Sequence, residues 1–141
     1  MSRLFLVALL LLCTACSRTP DEQRVRETVE AMRQAIVEHS PRAFLAHVSD
    51  DFIGNDATID KAALGNLLRV EVLRNDQVGV MLGPIDVELD GDRATVRVAA
   101  TFTGGAGGLL PERGSVYSIT SGWKRNGSDW VCISAKWEQR L

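Results

Sequence analysis

From Ile85 to Phe102 the chain alternates apolar and polar residues almost without a break, reversing once at Asp90-Gly91-Asp92. Ile85, Val87 and Leu89 are interleaved with Asp86, Glu88 and Asp90, and Ala94, Val96, Val98, Ala100 and Phe102 return on the far side of the turn. A period of two puts every second side chain on one face, so these residues predict two antiparallel strands with a single buried face. Val80 and Leu82 lead into the pattern and Gly83-Pro84 breaks it. Ser115 to Arg125 and Asp129 to Trp137 repeat the strand signature around a second hairpin signal, Asn126-Gly127. A sheet of this kind cannot stand alone with one apolar face bare. Something must cover it.

The residues before the strands supply the cover. Thr19-Pro20-Asp21-Glu22 has the form of a helix start, with a capping hydroxyl, proline in the first turn and an acid three residues after the cap. Val25, Val29, Met32 and Ile36 then form one apolar stripe at helical spacing. Ser40-Pro41 repeats the start signal. The spacing of Phe44, Leu45 and Val48 predicts a second helix, carrying His47 and closed by Asp50-Asp51-Phe52. A third helix fits Asp60 to Leu73, with Ala63, Leu64, Leu67 and Leu68 turned inward. Helices followed by a meander give an α+β fold, N-terminal helices packed on a curved antiparallel sheet, in one domain over residues 20–141.

The start of the chain concerns location. Leu4 to Leu12 is an apolar run of about nine residues, under half of the roughly 20 needed to cross a bilayer as a helix. With Arg3 before it and small residues after it, residues 1–15 read as a signal peptide. Thr14-Ala15-Cys16 resembles the end of a bacterial lipobox. That resemblance implies cleavage before Cys16, lipidation of its sulfur, a short tether over 16–19, and attachment at the cell envelope. Ser17 after the cysteine points to the outer membrane, facing the periplasm. A plain cleaved signal with a soluble product is the rival reading. Cys13 and Cys16 are not half of a zinc site, because the remaining cysteine, Cys132, and His39 and His47 stand in no ligand spacing. Cys132, between Val131 and Ile133, is expected to be a buried, inert thiol.

Charge excludes one class. With 16 Lys and Arg against 18 Asp and Glu, and no basic stripe, nucleic-acid binding has no support. The acidic segment Asp50, Asp51, Asp56 and Asp60 lacks calcium-loop spacing. Ser121-Gly-Trp-Lys124 matches a serine acyltransferase string, but residues three apart on a strand face opposite ways. Gly104 to Gly108 lacks the Lys-Ser/Thr of a phosphate-binding loop and reads as a lip.

Three stretches resemble the nuclear transport factor 2-like (NTF2-like) superfamily, which includes ketosteroid isomerase and SnoaL-type cyclases. They are "FLAHVSDDFIGND", "IDKAALGNLLR" and the closing hairpin "SGWKRNGSDWVCISAKW". The resemblance implies a cone, a bent sheet wrapped around the long helix, often with a pocket at its open end. It also implies pairing of two copies sheet to sheet. The face opposite the cone would carry Thr95, Arg97, Ala99 and Thr101, with Ser118, Thr120 and Ser134. Enzymes of the superfamily carry acid, histidine or tyrosine groups in the cone. SnoaL-like enzymes often have histidines shortly after the tryptophan of the last strand, where this chain has Ser134 and Lys136. Tyr117 is the first candidate for a polar pocket group, with Lys136 and Ser134 next, and no metal or cofactor is expected.

Three functions fit these residues. The first is a non-enzymatic envelope lipoprotein binding a small apolar ligand or a protein partner. The second is a small isomerase, dehydratase or cyclase. The third is a structural or assembly accessory at the outer membrane. The absence of histidines at those positions favours the first and third.

Overall fold

The computed structural model describes residues 19–105 and 114–141; Cys16 and most of the Gly104–Gly108 segment lie outside that range. Helix α1, Pro20–Val37, starts as its residues dictate. The Thr19 hydroxyl accepts from the Glu22 amide at 3.3 Å. The Glu22 carboxylate does not return to the cap; it takes a 3.0 Å bond from Arg26 one turn on. Val25 and Ala35 are buried along α1, and Val29 and Met32 pack against the core from the same stripe. His39, at φ 57°, reverses the chain after α1. The Ser40 hydroxyl then caps α2, Pro41–Leu45, by accepting from Ala43.

Helix α2 is shorter than the spacing predicts. Val48–Gly54 is strand β1, with Val48, Phe52 and Gly54 buried. A four-residue interval between apolar residues fits one helix face and one strand face equally, since four is a multiple of two. Tertiary pairing decides between them. Val48 aligns with Cys132, and the Cys132 amide donates to the His47 carbonyl at 2.9 Å. His47 therefore sits in the turn after α2. Next come the short β2, Ile59–Asp60, and α3, Lys61–Arg74, capped by the Asp60 carboxylate at 2.8 Å from the Ala63 amide. Leu64 packs on the core, but Leu67 is half exposed and Leu73 stands almost free in solvent.

Strands β3 (Gln77–Leu82), β4 (Asp86–Asp90), β5 (Arg93–Gly105), β6 (Ser115–Asn126) and β7 (Asp129–Gln139) complete a sheet ordered β2-β1-β7-β6-β5-β3, with β4 also on β5. The sheet is mixed, not purely antiparallel, because β1 runs parallel to β7. A parallel pair needs a long crossover. The intervening α3 and hairpins supply it. Gly91 (φ 60°) and Gly127 (φ 64°) each occupy the first central position of a two-residue hairpin loop, the arrangement of a II′ turn. The β6–β7 turn is thus Gly127-Ser128, one residue beyond the Asn-Gly signal.

One irregularity sets the orientation of β7. Gly122 aligns with Ser134, but Trp123 aligns with Cys132, leaving Ile133 as an extra residue. Such a bulge moves the following side chains to the opposite face. Trp130 and Cys132 face the core before it, and Ala135 and Trp137 pack there after it.

Candidate functional site

The curved sheet and the helices enclose an open cavity of about 570 Å³, within the usual range of roughly 300–1,000 Å³ for small-molecule sites. Its axis follows β5 and β6. At the base stand Val48, Phe52, Val96, Trp123 and Cys132, all buried. Val98, Ala100 and Ile119 form the wall, and Phe102 and Tyr117 meet edge to face nearer the mouth with ring centres 5.7 Å apart. The six residue-to-residue steps from Val96 to Phe102 give a depth of about 20 Å at strand rise. Helix α1 adds Val29, Met32 and Ile36, and α3 adds Leu64, Leu68 and Val72.

The Trp137 side of the wall is held by contacts at Gly54 and Asn55. A side chain at Gly54 would lie 3.1 Å from both the Phe52 and Trp137 rings, so only glycine lets the strand approach the indole this closely. Asn55 then clips β7 in two places. Its amide donates to the Ala135 carbonyl, and its side-chain oxygen accepts from the Trp137 amide, each at 3.0 Å.

Polar groups near the base are already paired. The Trp123 indole N–H donates to the Ser121 hydroxyl at 2.8 Å, and that hydroxyl donates onward to the Val96 carbonyl at 3.5 Å. The Cys132 thiol faces the Ser134 carbonyl at 3.3 Å, and burial pushes its pKa up to about 12. It is neutral and inert at ordinary pH. At the hairpin end of β6 and β7, Asp21 accepts from Arg125 at 2.6 Å and from the Trp130 indole at 3.4 Å, with Arg125 stacked over that ring.

The sequence candidates separate. Tyr117 lines the cavity. Ser134 and Lys136 do not; the bulge at Ile133 turns them to the outer face, where Lys136 lies 3.8 Å from Asp56. Reading the alternation onward from Trp130 and Cys132 places them inward, and one extra residue reverses that. Ser121 and Lys124 diverge as their spacing requires, Ser121 inward and Lys124 toward Asp51 at 3.7 Å. Asp50, Asp56 and Asp60 serve separately, in ion pairs with Lys61 and Lys136 and as the α3 cap. The Ser121–Trp123 pair was not singled out from the sequence, although two residues apart on a strand is the spacing that puts both on one face.

Helices on a bent mixed sheet, closed around a pocket on the long helix, have counterparts among solved structures. A candidate dehydratase of the NTF2-like family from Streptomyces avermitilis superposes with a TM-score of 0.75 at 12% identity, over 88% of this chain and 99% of that one. An NTF2-like protein of unknown function from Pseudomonas putida gives 0.74 at 18% identity, over 89% and 91%. The chain has the NTF2-like fold. A candidate scytalone dehydratase from Novosphingobium aromaticivorans gives 0.74 at 8% identity, over 86% of this NTF2-like chain and 85% of its own. No family profile matches the sequence, and no curated protein matches it at significance.

Proposed function

We propose that the NTF2-like domain binds a small apolar ligand and that a lipid on Cys16 holds it at the bacterial envelope, on the outer membrane facing the periplasm. The observation that carries the binding role is the cavity itself, a pocket of about 570 Å³ whose base is apolar and whose deep polar atoms are mutually bonded. Acid–base catalysis needs a titratable group within hydrogen-bond reach of the reacting atom. Among the described residues lining the base, the titratable side chain is the neutral Cys132 thiol. N-phenyl-1-naphthylamine, a neutral probe that brightens in apolar surroundings, should bind the domain, and Val98→Trp, which fills the wall, should abolish the signal. No brightening with wild-type protein would remove this reading.

A second reading, a small dehydratase or isomerase, draws on the candidate dehydratases that share the fold and on the Tyr117 hydroxyl in the wall. Recovery of a bound ligand in chemically converted form, lost in Tyr117→Phe, would favour it. The third, a structural or assembly accessory, would be favoured by capture of an envelope protein with the cavity unoccupied.

The address rests on Thr14-Ala15-Cys16. Cys16→Ser should lose label from an alkyne fatty acid, and equal labelling of the variant would exclude the anchor. A homodimer through the outer sheet face is also proposed. That face presents small side chains at Ala99 and Thr101, while Arg97 is committed within the chain to Asp86 and Glu88. Thr101→Arg should break association in light scattering by burying a charge. A wild-type monomer at high micromolar concentration would exclude the pair.

A further inference from the structure

The polar side chains of the cavity are unevenly placed. At its base the Trp123 indole is bonded to the Ser121 hydroxyl and that hydroxyl to the Val96 carbonyl, leaving an apolar floor. Arg33, Glu71, Asn75, Thr103, Ser115 and Tyr117 also line the cavity, and all are partly or fully exposed. Their positions agree with an outer ring. Ser115 pairs with Phe102 at the far end of β5 and β6 from the hairpin turns, and Asn75 follows the last turn of α3, against Gly104. The pocket therefore runs from an apolar floor to a hydrogen-bonding rim.

The rim also has a charge character. Arg33 is tied to Glu30 at 2.8 Å and reaches Gln34 at 3.3 Å. Glu71 has no cation within ion-pair distance among the described residues. The Tyr117 hydroxyl has no hydrogen-bond partner among them either. Among the described residues, an anion at this ring meets a carboxylate with no ion-pair partner and a cation already engaged. A neutral hydroxyl or carbonyl meets an available phenol.

We infer that the ligand is an uncharged, single-headed amphiphile that enters tail first, with its apolar body on the Trp123 floor and its hydroxyl or carbonyl head at Tyr117. This rests on the apolar-ligand reading above and adds direction and head-group chemistry to it. A ligand with a second polar end would bury that end against a floor whose Ser121, Trp123 and Cys132 donors are already engaged, and a buried acceptor without a donor is costly.

Displacement of N-phenyl-1-naphthylamine by decan-1-ol and by decanoate, at a pH where the acid is ionised, tests the head group. Decanol should displace the probe, and decanoate should need roughly tenfold more. Glu71→Gln should narrow that gap. Tyr117→Phe should weaken decanol, measured relative to the probe's own affinity for that variant, by roughly fivefold, the loss of one hydrogen bond. Direction is read separately by tryptophan quenching. Alcohol brominated at its tail end should quench more strongly than alcohol brominated beside the head, because Trp123 lies at the floor. Equal displacement by acid and alcohol, an unchanged Tyr117→Phe, or reversed quenching order would each overturn this inference while probe binding left the apolar-ligand reading standing. Failure of the probe to bind would overturn both.

Discussion

Raising the pH should destabilise this domain through Cys132, by an amount the structure allows to be worked out. The thiol is buried, and its pKa rises from an ordinary 9.0 to about 12. In the unfolded chain it ionises near the ordinary value, so above that pH the unfolded state gains stability that the folded state cannot match until the folded pKa is reached. The sign is therefore fixed. The contribution is fully present below about pH 9 and is lost as pH rises toward about 12. At about 1.4 kcal/mol per pH unit, the loss reaches roughly 3 kcal/mol by about pH 11 and roughly 4 kcal/mol in all. Wild type alone would not isolate the thiol from the other responses of the chain to alkali. Urea unfolding of wild type and Cys132→Ala from about pH 8 to about pH 11 cancels the responses they share. The alanine variant starts less stable because it leaves a void, and the stability difference should shrink by roughly 3 kcal/mol across the series. Parallel curves would refute the reasoning, as would rapid labelling of Cys132 by a thiol reagent in the native state at neutral pH.

Ser121→Ala leaves the Trp123 indole N–H buried without its 2.8 Å partner and should cost about 1–3 kcal/mol in chemical denaturation, with no change counting against the pairing. The bulge at Ile133 predicts opposite outcomes at adjacent positions. Ala135→Lys should abolish N-phenyl-1-naphthylamine binding, and Lys136→Ala should leave it unchanged; equal effects would place the bulge elsewhere.

The alternation from Ile85 to Phe102 made much of the fold legible, because strand phase and hairpin glycines are local signals. The same phase gives the cavity wall, since Val96, Val98, Ala100 and Phe102 line it as their alternation implies. Helix starts at Thr19, Ser40 and Asp60 were legible for the same local reason. Two features were not. Strand β1 is fixed by pairing to β7, and nothing near Val48 distinguishes a helix face from a strand face. The bulge lies in Trp130-Val131-Cys132-Ile133, where alternate residues are all apolar and an added one leaves no mark on the pattern. That single residue moved Ser134 and Lys136 out of the site and brought Ala135 and Trp137 into it. Tyr117 stayed legible because no irregularity interrupts its pairing with Ala100.

The pairing of β1 with β7 joins the first and the last strand, in chain order, of the described residues. Every other ladder of the sheet can close between neighbouring segments or across one hairpin, but Val48–Gly54 has no parallel partner until Asp129–Gln139 exists. A nascent chain ending before Asp129 therefore carries Val48 and Phe52 without their β7 neighbours, and lacks Cys132 and Trp137 from the cavity wall. Closure of such sequence-distant contacts is entropically slow. The cavity wall is therefore complete only once β7 has been made and has paired with β1.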